Sequence, residues 1–342
     1  MERDELIGKI LTIAGDYRKG EIATFDYKHV NRWVNQFQVN EQHKDVILLE
    51  VGHMLEKYYL SRDSAKANLL RIFQFMKEEK AGGCSMLDVN FLRTQEPGKS
   101  QHEILLMADE VLRDMHGVST QECGGSKVYL YLDDCIFSGN KWRYDMRNST
   151  QLDQAENGYI LVSYHFMIYN EGFGYAYPHI KSQIDNKGGL VKPFRKELFN
   201  SQRLGNEPLD ILWPTYINGN KQIDTFVNHS NESCDQKGWL RRPLFRTCQI
   251  ASPDLFTSST NQHIIEQSFL AVGAKLFCAA QFPAPSMRPM GFEVIATIGF
   301  GTPIITWRNI ANNCPLAFWY GDPSYGPHHP LGIWYPLFPR KV

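Results

Sequence analysis

The sequence predicts an α/β protein with a parallel sheet, preceded by an α-helical N-terminal domain. Through the first 80 residues, apolar residues recur at intervals of three and four, which is the periodicity of amphipathic helices. Beyond them, continuous apolar runs at 127–132 and 158–169 alternate with helical patterns, as buried parallel strands and their crossover helices do. The composition is that of a folded chain, because 43% of the 342 residues are hydrophobic and 21% are charged.

The charge and the cysteine content of the chain argue against several classes of protein. The formal net charge is −1, so no whole-molecule field attracts nucleic acid. Seven cysteines without close pairing favour reduced thiols over a disulfide scaffold. The N-terminal sequence MERDELIG carries charges before any apolar stretch, unlike a secretory signal, and no apolar run reaches the roughly 20 residues of a membrane helix. We therefore expect a cytoplasmic protein.

The chain is predicted to contain two domains. Residues 1–80 form the helical domain, and residues 81–342 form the α/β domain. A stretch rich in Asn, Gln, Lys and Pro at about 183–262 is predicted to be a polar insertion. Further strands are expected near Val294–Ile298 and Pro303–Trp307.

The most informative segment is VYLYLDDCIFSGNKW, in which a buried strand ends in two carboxylates. Asp133 and Asp134 at this strand end could accept hydrogen bonds from vicinal ribose hydroxyls, while the following Ser-Gly loop could present backbone N–H groups to a phosphate. The alternative is an Asp-Asp turn that only caps a helix. Ligands of open α/β sheets bind beyond the carboxyl ends of the strands, which favours a ligand site.

A strand, two acidic residues and a Ser-Gly loop resemble the signature of the type I phosphoribosyltransferases. Other distinctive segments are RWVNQF at Arg32–Phe37, GFGT at Gly299–Thr302, NNCPL at Asn312–Leu316 and WYPLFPR at Trp334–Arg340. Together with DDCIFSGN at 133–140, they make nearly the whole chain similar to the PRTase-CE family, an orphan branch found among antiphage defence genes and as a retron accessory protein. This resemblance implies a phosphoribosyltransferase-like α/β domain that acts on phosphoribosyl pyrophosphate or a related nucleotide.

The resemblance also implies roles for individual residues. Asp133 and Asp134 would be catalytic, and the 5-phosphate would bind to the loop of Ser138, Gly139, Asn140 and Lys141. Phosphoribosyltransferases usually end this loop with Thr or Ser, so Lys141 is a departure. A cation there could bind the same phosphate, or it could point to solvent. Mg²⁺ would arrive with the substrate, bound largely to its ribose and pyrophosphate oxygens, with no metal held by protein side chains alone.

Two further groups of residues are candidates for the site. In these enzymes the pyrophosphate usually contacts a loop after an earlier strand, a place taken here by FLRTQEPGKSQHEIL, and the candidates are Arg93, Gly98, Lys99 and Ser100. The alternative for this loop is a polar turn with a solvated lysine. Tyr164 and His165, late in the strand after the acidic loop, are candidates for contacting the base or acceptor. The alternative for them is ordinary core packing.

The setting of the relatives implies an effector that is toxic to the cell in antiphage defence. One alternative is a non-catalytic sensor that binds phosphoribosyl pyrophosphate or a nucleotide. Another is a structural subunit of a retron reverse transcriptase complex with its nucleic acid, contacted through residues 1–80. Basic residues there would favour this alternative, although interleaved acidic residues are typical of an ordinary mixed surface. The identity of the acceptor base has no general sequence code.

Overall fold

The chain divides into two structural units. The computed structural model describes residues 2–22 and 25–341. One unit contains Met1–Arg62 together with Arg203–Val342, and the other contains Asp63–Gln202. The first unit is therefore built from both ends of the chain, and the second from the segment between them.

The unit of residues 63–202 contains a parallel sheet. Among the described residues it has four strands in the order β1-β2-β3-β4. The strands are β1 (Asn90–Phe91), β2 (Val128–Ile136), β3 (Ile160–Tyr169) and β4 (Leu190–Phe199). The helices of this segment are α4 (Arg62–Phe75), α5 (Ser100–His116), α6 (Asn140–Arg147), α7 (Thr150–Asp153) and α8 (Asn170–Asp185). The predicted α/β fold with a parallel sheet and helices at the N-terminus is confirmed.

The buried strands were predicted from the sequence, and the exposed strand was not. The central strands β2 and β3 are buried over most of their length and therefore read as continuous apolar runs. In contrast, β4 is a largely exposed edge strand with the sequence LVKPFRKELF. Charged residues and proline are typical of edge strands, since they discourage pairing with another chain. The predicted insertion at 183–262 is therefore corrected, because its residues 190–199 form a strand of the sheet.

The unit formed by the two chain ends is mainly helical. Its helices are α1 (Arg3–Ala14), α2 (Tyr27–Val34), α3 (Glu41–Tyr58), α9 (Lys221–Lys237), α10 (Ser259–Ala279) and α11 (Leu316–Trp319). Within the described part of the chain, the strands predicted near 294–298 and 303–307 are replaced by irregular backbone with isolated bridges. Gly299 explains part of this difference. It has φ 119°, and a Cβ there would lie 2.3 Å from the carbonyl oxygen of Gly291, so the backbone turns in close contact instead of extending.

The N-terminal helices are held to the C-terminal segment by hydrogen bonds and aromatic contacts. Gln36 Nε2 donates to the carbonyl oxygen of Tyr335 at 2.9 Å, and the Tyr335 N–H donates to Gln36 Oε1 at 2.7 Å. The indole nitrogens of Trp33 and Trp334 both donate to the carbonyl oxygen of Ala317, at 2.8 and 2.9 Å. The segments RWVNQF and WYPLFPR are therefore joined in the folded protein.

This arrangement differs from the predicted division at residue 80. Trp33 is fully buried and stacks on Phe318, with ring centroids 6.1 Å apart, and Phe37 stacks on Phe269 at 5.7 Å. The apolar faces of the first helices are thus covered by residues from the other end of the chain. Helical periodicity shows that a helix has a face to bury, but it carries no information on what covers that face.

Replacing Gln36 tests the connection between the chain ends. We expect Gln36→Ala to lower the free energy of unfolding by about 1–3 kcal/mol, because it leaves two polar groups of the Tyr335 backbone without their partner. Urea unfolding measures this change. The matched control is Gln38→Ala, which removes an exposed glutamine two residues away. Equal losses in the two variants would contradict the assigned role of Gln36.

Candidate functional site

Two buried carboxylates form the centre of the candidate site at the carboxyl end of β2. Asp133 lies on β2 and Asp145 on α6, and their exposed fractions are 4% and 1%. The Tyr131 hydroxyl lies 2.9 Å from Asp133 Oδ2 and 2.7 Å from Asp145 Oδ2. Gln95 Nε2 lies 3.2 Å and 2.8 Å from the same two oxygens. The two carboxylates thus share both of these donors.

The shared phenol limits how many negative charges the cluster can hold. A tyrosine hydroxyl has one proton, so it can donate to only one carboxylate at a time. Burial and the nearby charge of Asp134 raise the pKa of Asp133 to about 7. Asp133 is therefore poised to gain or lose a proton near neutral pH, which is the property required of a general acid or base.

Lys141 takes part in the same cluster. It forms an ion pair with Asp145 one helical turn later on α6, and the carboxylate of Asp145 is fully buried while the lysine side chain is about half exposed. Lys141 is therefore directed to Asp145 rather than only to solvent. An incoming phosphate at this position would compete with Asp145 for the lysine.

The Ser-Gly loop has the geometry of a phosphate cradle. Gly139 has φ 76° and directly precedes α6. A Cβ at Gly139 would lie 2.3 Å from the carbonyl oxygen of Gly172, so only glycine fits between the loop and α8. Within the described residues no side chain caps α6 at Gly139, and the Ser138 hydroxyl is 3.5 Å from the Asn140 N–H. The first N–H groups of α6 are therefore suited to binding an anion.

A cleft of 480 Å³ adjoins this loop between α6 and α8. Its lining residues include Asn140, Arg143, Arg147 and His179. Arg143 and Arg147 are one helical turn apart, so α6 presents two cations on one side. The sequence analysis did not identify these arginines, although their spacing of four in NKWRYDMR was a usable signal.

Of the residues predicted to bind pyrophosphate, only some lie near the acidic cluster. Ser100 begins α5, and its hydroxyl lies 3.4 Å from Oε1 of Gln95, the residue that contacts both carboxylates. Gly98, with φ 84°, and the exposed Lys99 lead into the same helix end. Arg93 instead donates from Nη2 to the Thr120 hydroxyl at 2.5 Å, away from the carboxylates. Sequence reasoning missed Gln95, whose contact with both carboxylates depends on how the loop folds.

The two candidate acceptor residues lie on opposite faces of the sheet, because successive strand residues alternate. His165 pairs in register with Asp133, and its ring is 5.2 Å from Trp142 and 5.5 Å from Tyr131. Tyr164 instead contacts Phe166, at 5.4 Å. The structure therefore brings only His165 to the acidic cluster.

The environment of His165 is unusual for a buried polar residue. Neither ring nitrogen has a hydrogen-bond partner among the described residues, and the same holds for Trp142 Nε1 beside it. Burial lowers the pKa of His165 to about 3, so the imidazole is neutral. Buried polar groups are normally paired, so these nitrogens have unused hydrogen-bonding capacity beside the acidic cluster.

Comparison with known proteins agrees with the motifs and the fold. A family model described as PRTase-CE matches residues 30–340. The chain belongs to the PRTase-CE family. Neither the comparison with curated proteins nor that with solved structures gave a match. Membership of the PRTase-CE family indicates a phosphoribosyltransferase-like function.

Among residues 2–22 and 25–341, no three or more His, Cys, Asp or Glu side chains are arranged to hold a metal ion. Over the same residues, no helix combines the length and apolar character needed to cross a bilayer.

The raised pKa of Asp133 predicts a change in stability with pH. A carboxyl group whose pKa is higher in the folded state stabilises the fold below its unfolded pKa, near 4, and this contribution is lost as the pH rises through about 7. We therefore expect Asp133→Asn to be more stable than wild type at pH 8, by about 1–3 kcal/mol, with a smaller difference at pH 4.5.

Urea unfolding at the two pH values measures this effect, with Asp153→Asn, at an exposed carboxylate of the same unit, as the control. A pH-independent difference between Asp133→Asn and wild type would show that Asp133 ionises with an ordinary pKa.

Proposed function

We propose that the parallel-sheet unit of this PRTase-CE protein binds phosphoribosyl pyrophosphate and transfers its phosphoribosyl group to a nucleotide-like acceptor. One observation carries the proposal. Within eight residues, β2 carries Asp133 and Asp134 near its carboxyl end and the chain then enters α6 through a glycine loop whose N–H groups suit a phosphate. These are the groups needed at the two ends of a ribose 5-phosphate.

Each part of the substrate has a matching part of the site in this proposal. The N–H groups of Gly139 and Asn140, with the Ser138 hydroxyl, bind the 5-phosphate, and the cleft beside Asn140 adds the positive charge of Arg143 and Arg147. Asp133 and Asp134 accept hydrogen bonds from the ribose hydroxyls.

The leaving pyrophosphate is assigned to the start of α5. The residues that lead into this helix are Gly98, Lys99 and Ser100, and Ser100 contacts Gln95 of the acidic cluster. Arg93 is left out of this assignment because its guanidinium is bonded to Thr120.

The proposed substrate carries Mg²⁺ as part of its complex. Carboxylate oxygens are suitable ligands for this hard cation, directly or through water. Asp134 is half-buried at the end of β2, so its carboxylate can be reached from solvent. Its oxygen donors fit a metal that arrives already bound to ribose and pyrophosphate oxygens.

The reaction breaks the bond between the anomeric carbon and the pyrophosphate oxygen, and forms a bond from that carbon to the acceptor. Positive charge develops on the ribose, and the buried carboxylate of Asp133 would stabilise it in a site of low polarity. Because its pKa is near 7, Asp133 can take a proton from the acceptor as the new bond forms. The neutral ring of His165 offers a hydrogen-bond acceptor beside this carboxylate.

Replacing the acidic pair tests the binding step. We expect Asp133→Asn with Asp134→Asn to weaken binding of phosphoribosyl pyrophosphate by about 30-fold or more, since two charge-assisted hydrogen bonds are lost. Isothermal titration calorimetry measures the affinity. The control is Asp153→Asn, which changes an exposed carboxylate of the same unit. Unchanged affinity in the double variant would rule out the proposed ribose contacts.

The wild type and the double variant also distinguish an enzyme from a non-catalytic sensor of phosphoribosyl pyrophosphate. A non-catalytic sensor is favoured by one observation: Asp133 and Asp145 are already engaged by Tyr131 and Lys141 within the protein itself. Release of pyrophosphate from phosphoribosyl pyrophosphate in the presence of a mixture of bases identifies the enzyme. Binding without release identifies the sensor.

The biological role follows from the resemblance to defence-associated relatives, and we propose a toxic effector that alters a nucleotide pool. We expect induced expression of the wild type to slow bacterial growth and to change nucleotide levels, because an unrestrained transferase consumes phosphoribosyl pyrophosphate. The Asp133→Asn, Asp134→Asn variant at equal abundance should have neither effect. Growth curves with metabolite profiling test this role, and equal toxicity of the two proteins would exclude the acidic site as its cause.

A further inference from the structure

A second cavity lies in the unit formed by the two chain ends. Its volume is 450 Å³, within the range of about 300–1,000 Å³ that is usual for small-molecule sites. The lining residues that bear on a ligand are Arg18, Phe292, Trp319, Asp322, Tyr335 and Arg340. Cations and aromatic rings therefore share one cavity.

Arg340 is a partly exposed cation, and no carboxylate of the described residues acts as its counter-ion. Its Nε atom is buried and lacks a hydrogen-bond partner among the described residues. No carboxylate of the described chain stabilises its guanidinium, and the nearby Arg308 repels it. Burial of an unpaired charge is costly, so the folded protein gains stability if an anion binds here.

Arg18 is held at the same cavity by an uncommon backbone conformation. Its φ is 43°, in the left-handed region that residues other than glycine rarely adopt. The Arg18 N–H donates to the carbonyl oxygen of Trp307 at 2.7 Å, and its guanidinium donates to that of Pro339 at 2.8 Å. These bonds hold the Arg18 guanidinium next to Pro339, the residue that precedes Arg340.

The acidic residues near the cavity are already engaged. Glu21 pairs with Arg18 at 3.1 Å. Asp322 accepts hydrogen bonds from the backbone N–H and the hydroxyl of Ser324, at 2.9 and 2.7 Å. The positive charge of Arg340 therefore has no acidic partner among the described residues, and an anion bound in the cavity would supply one.

The aromatic walls are held rigidly. Trp319 Nε1 donates to the carbonyl oxygen of Cys314 at 2.7 Å, and its ring lies 5.4 Å from that of Phe292. The Tyr335 hydroxyl donates to His29 Nδ1 at 2.7 Å, because His29 Nε2 donates to the Leu337 carbonyl oxygen. Guanidinium groups lie over both rings, with Arg340 5.5 Å from the centroid of Trp319 and Arg32 3.9 Å from that of Tyr335. A planar ring with an attached anion that binds here would therefore meet cations and aromatic groups together.

We propose that this cavity binds a mononucleotide, with the phosphate paired to Arg340 and Arg18 and the base placed against Trp319. The cavity is lined by arginines, which bind anions, and by aromatic rings, which contact planar rings. A molecule that joins an anion to a planar ring fits both kinds of lining residue. This site lies in a different unit from the phosphoribosyl pyrophosphate site, and its argument does not depend on that proposed activity.

Calorimetry on the full chain tests the proposal with AMP as the probe. Inorganic phosphate and adenosine are titrated separately, to measure the contributions of the anion and the ring. The titrations are repeated with the Asp133→Asn, Asp134→Asn variant, so that AMP binding at the acidic site is recognised. We expect AMP to bind this variant and the wild type alike, and more tightly than phosphate or adenosine.

Substitution of Arg340 then locates the site. We expect Arg340→Gln to weaken AMP binding by about 10-fold or more, and Arg340→Lys to retain part of it, because the charge is kept. The matched control is Arg308→Gln, which removes a neighbouring arginine that does not line the cavity. Melting temperatures confirm that each variant is folded, and hydrogen exchange should show AMP protecting residues 316–341.

Three results would overturn the mononucleotide site. The first is unchanged AMP affinity in folded Arg340→Gln. The second is protection confined to residues 128–147, which would place AMP at the acidic site. The third is phosphate binding as tight as that of AMP, which would remove the role of the aromatic walls.

Discussion

Two buried carboxylates that contact one phenolic oxygen constrain the whole carboxyl end of the sheet. Asp133 belongs to β2 and Asp145 to α6, and both contact the Tyr131 hydroxyl and the side chain of Gln95 from the loop before α5. Tyr131 and Gln95 each contact both carboxylates, so the two donors and the two acceptors hold one another in place. The positions of three chain segments therefore depend on one small set of hydrogen bonds.

The acidic cluster affects both the stability of the fold and its capacity for proton transfer. A buried carboxyl with a pKa near 7 is less favourable to the fold at high pH than an amide would be, yet it can exchange a proton under physiological conditions. The ion pair of Lys141 with Asp145 partly offsets the negative charge. A substrate with several negative oxygens would redistribute these contacts, so binding and the protonation of Asp133 are expected to be coupled.

The motifs that relate the chain to its family serve packing as well as chemistry. RWVNQF and WYPLFPR contact each other through Gln36 and the indoles of Trp33 and Trp334. In NNCPL, the Asn313 side chain donates to the carbonyl oxygen of Phe292 at 2.9 Å. Only DDCIFSGN belongs to the sheet unit. The other four motifs build the unit that contains the aromatic cavity.

Several features of the candidate site were predictable, and the missed ones have physical reasons. The acidic strand end and the glycine loop are contiguous in sequence, so local chemistry revealed them. The separation of Tyr164 from His165 was also predictable, since neighbouring residues of a strand face opposite ways. Gln95 and Asp145 could not be identified, because their role arises only when a loop and a helix meet at Tyr131.

By itself, the sequence determined the parallel sheet, the helices at its N-terminal end and the glycine loop after Asp134. These follow from hydrophobic periodicity and from backbone sterics, which act between near neighbours. Only the tertiary structure decided that both chain ends form one unit, that a polar segment is the edge strand β4 and that Lys141 pairs with Asp145. It also decided that Arg340 has no carboxylate partner among the described residues. Burial and charge compensation depend on residues far apart in the chain, so no local pattern encodes them.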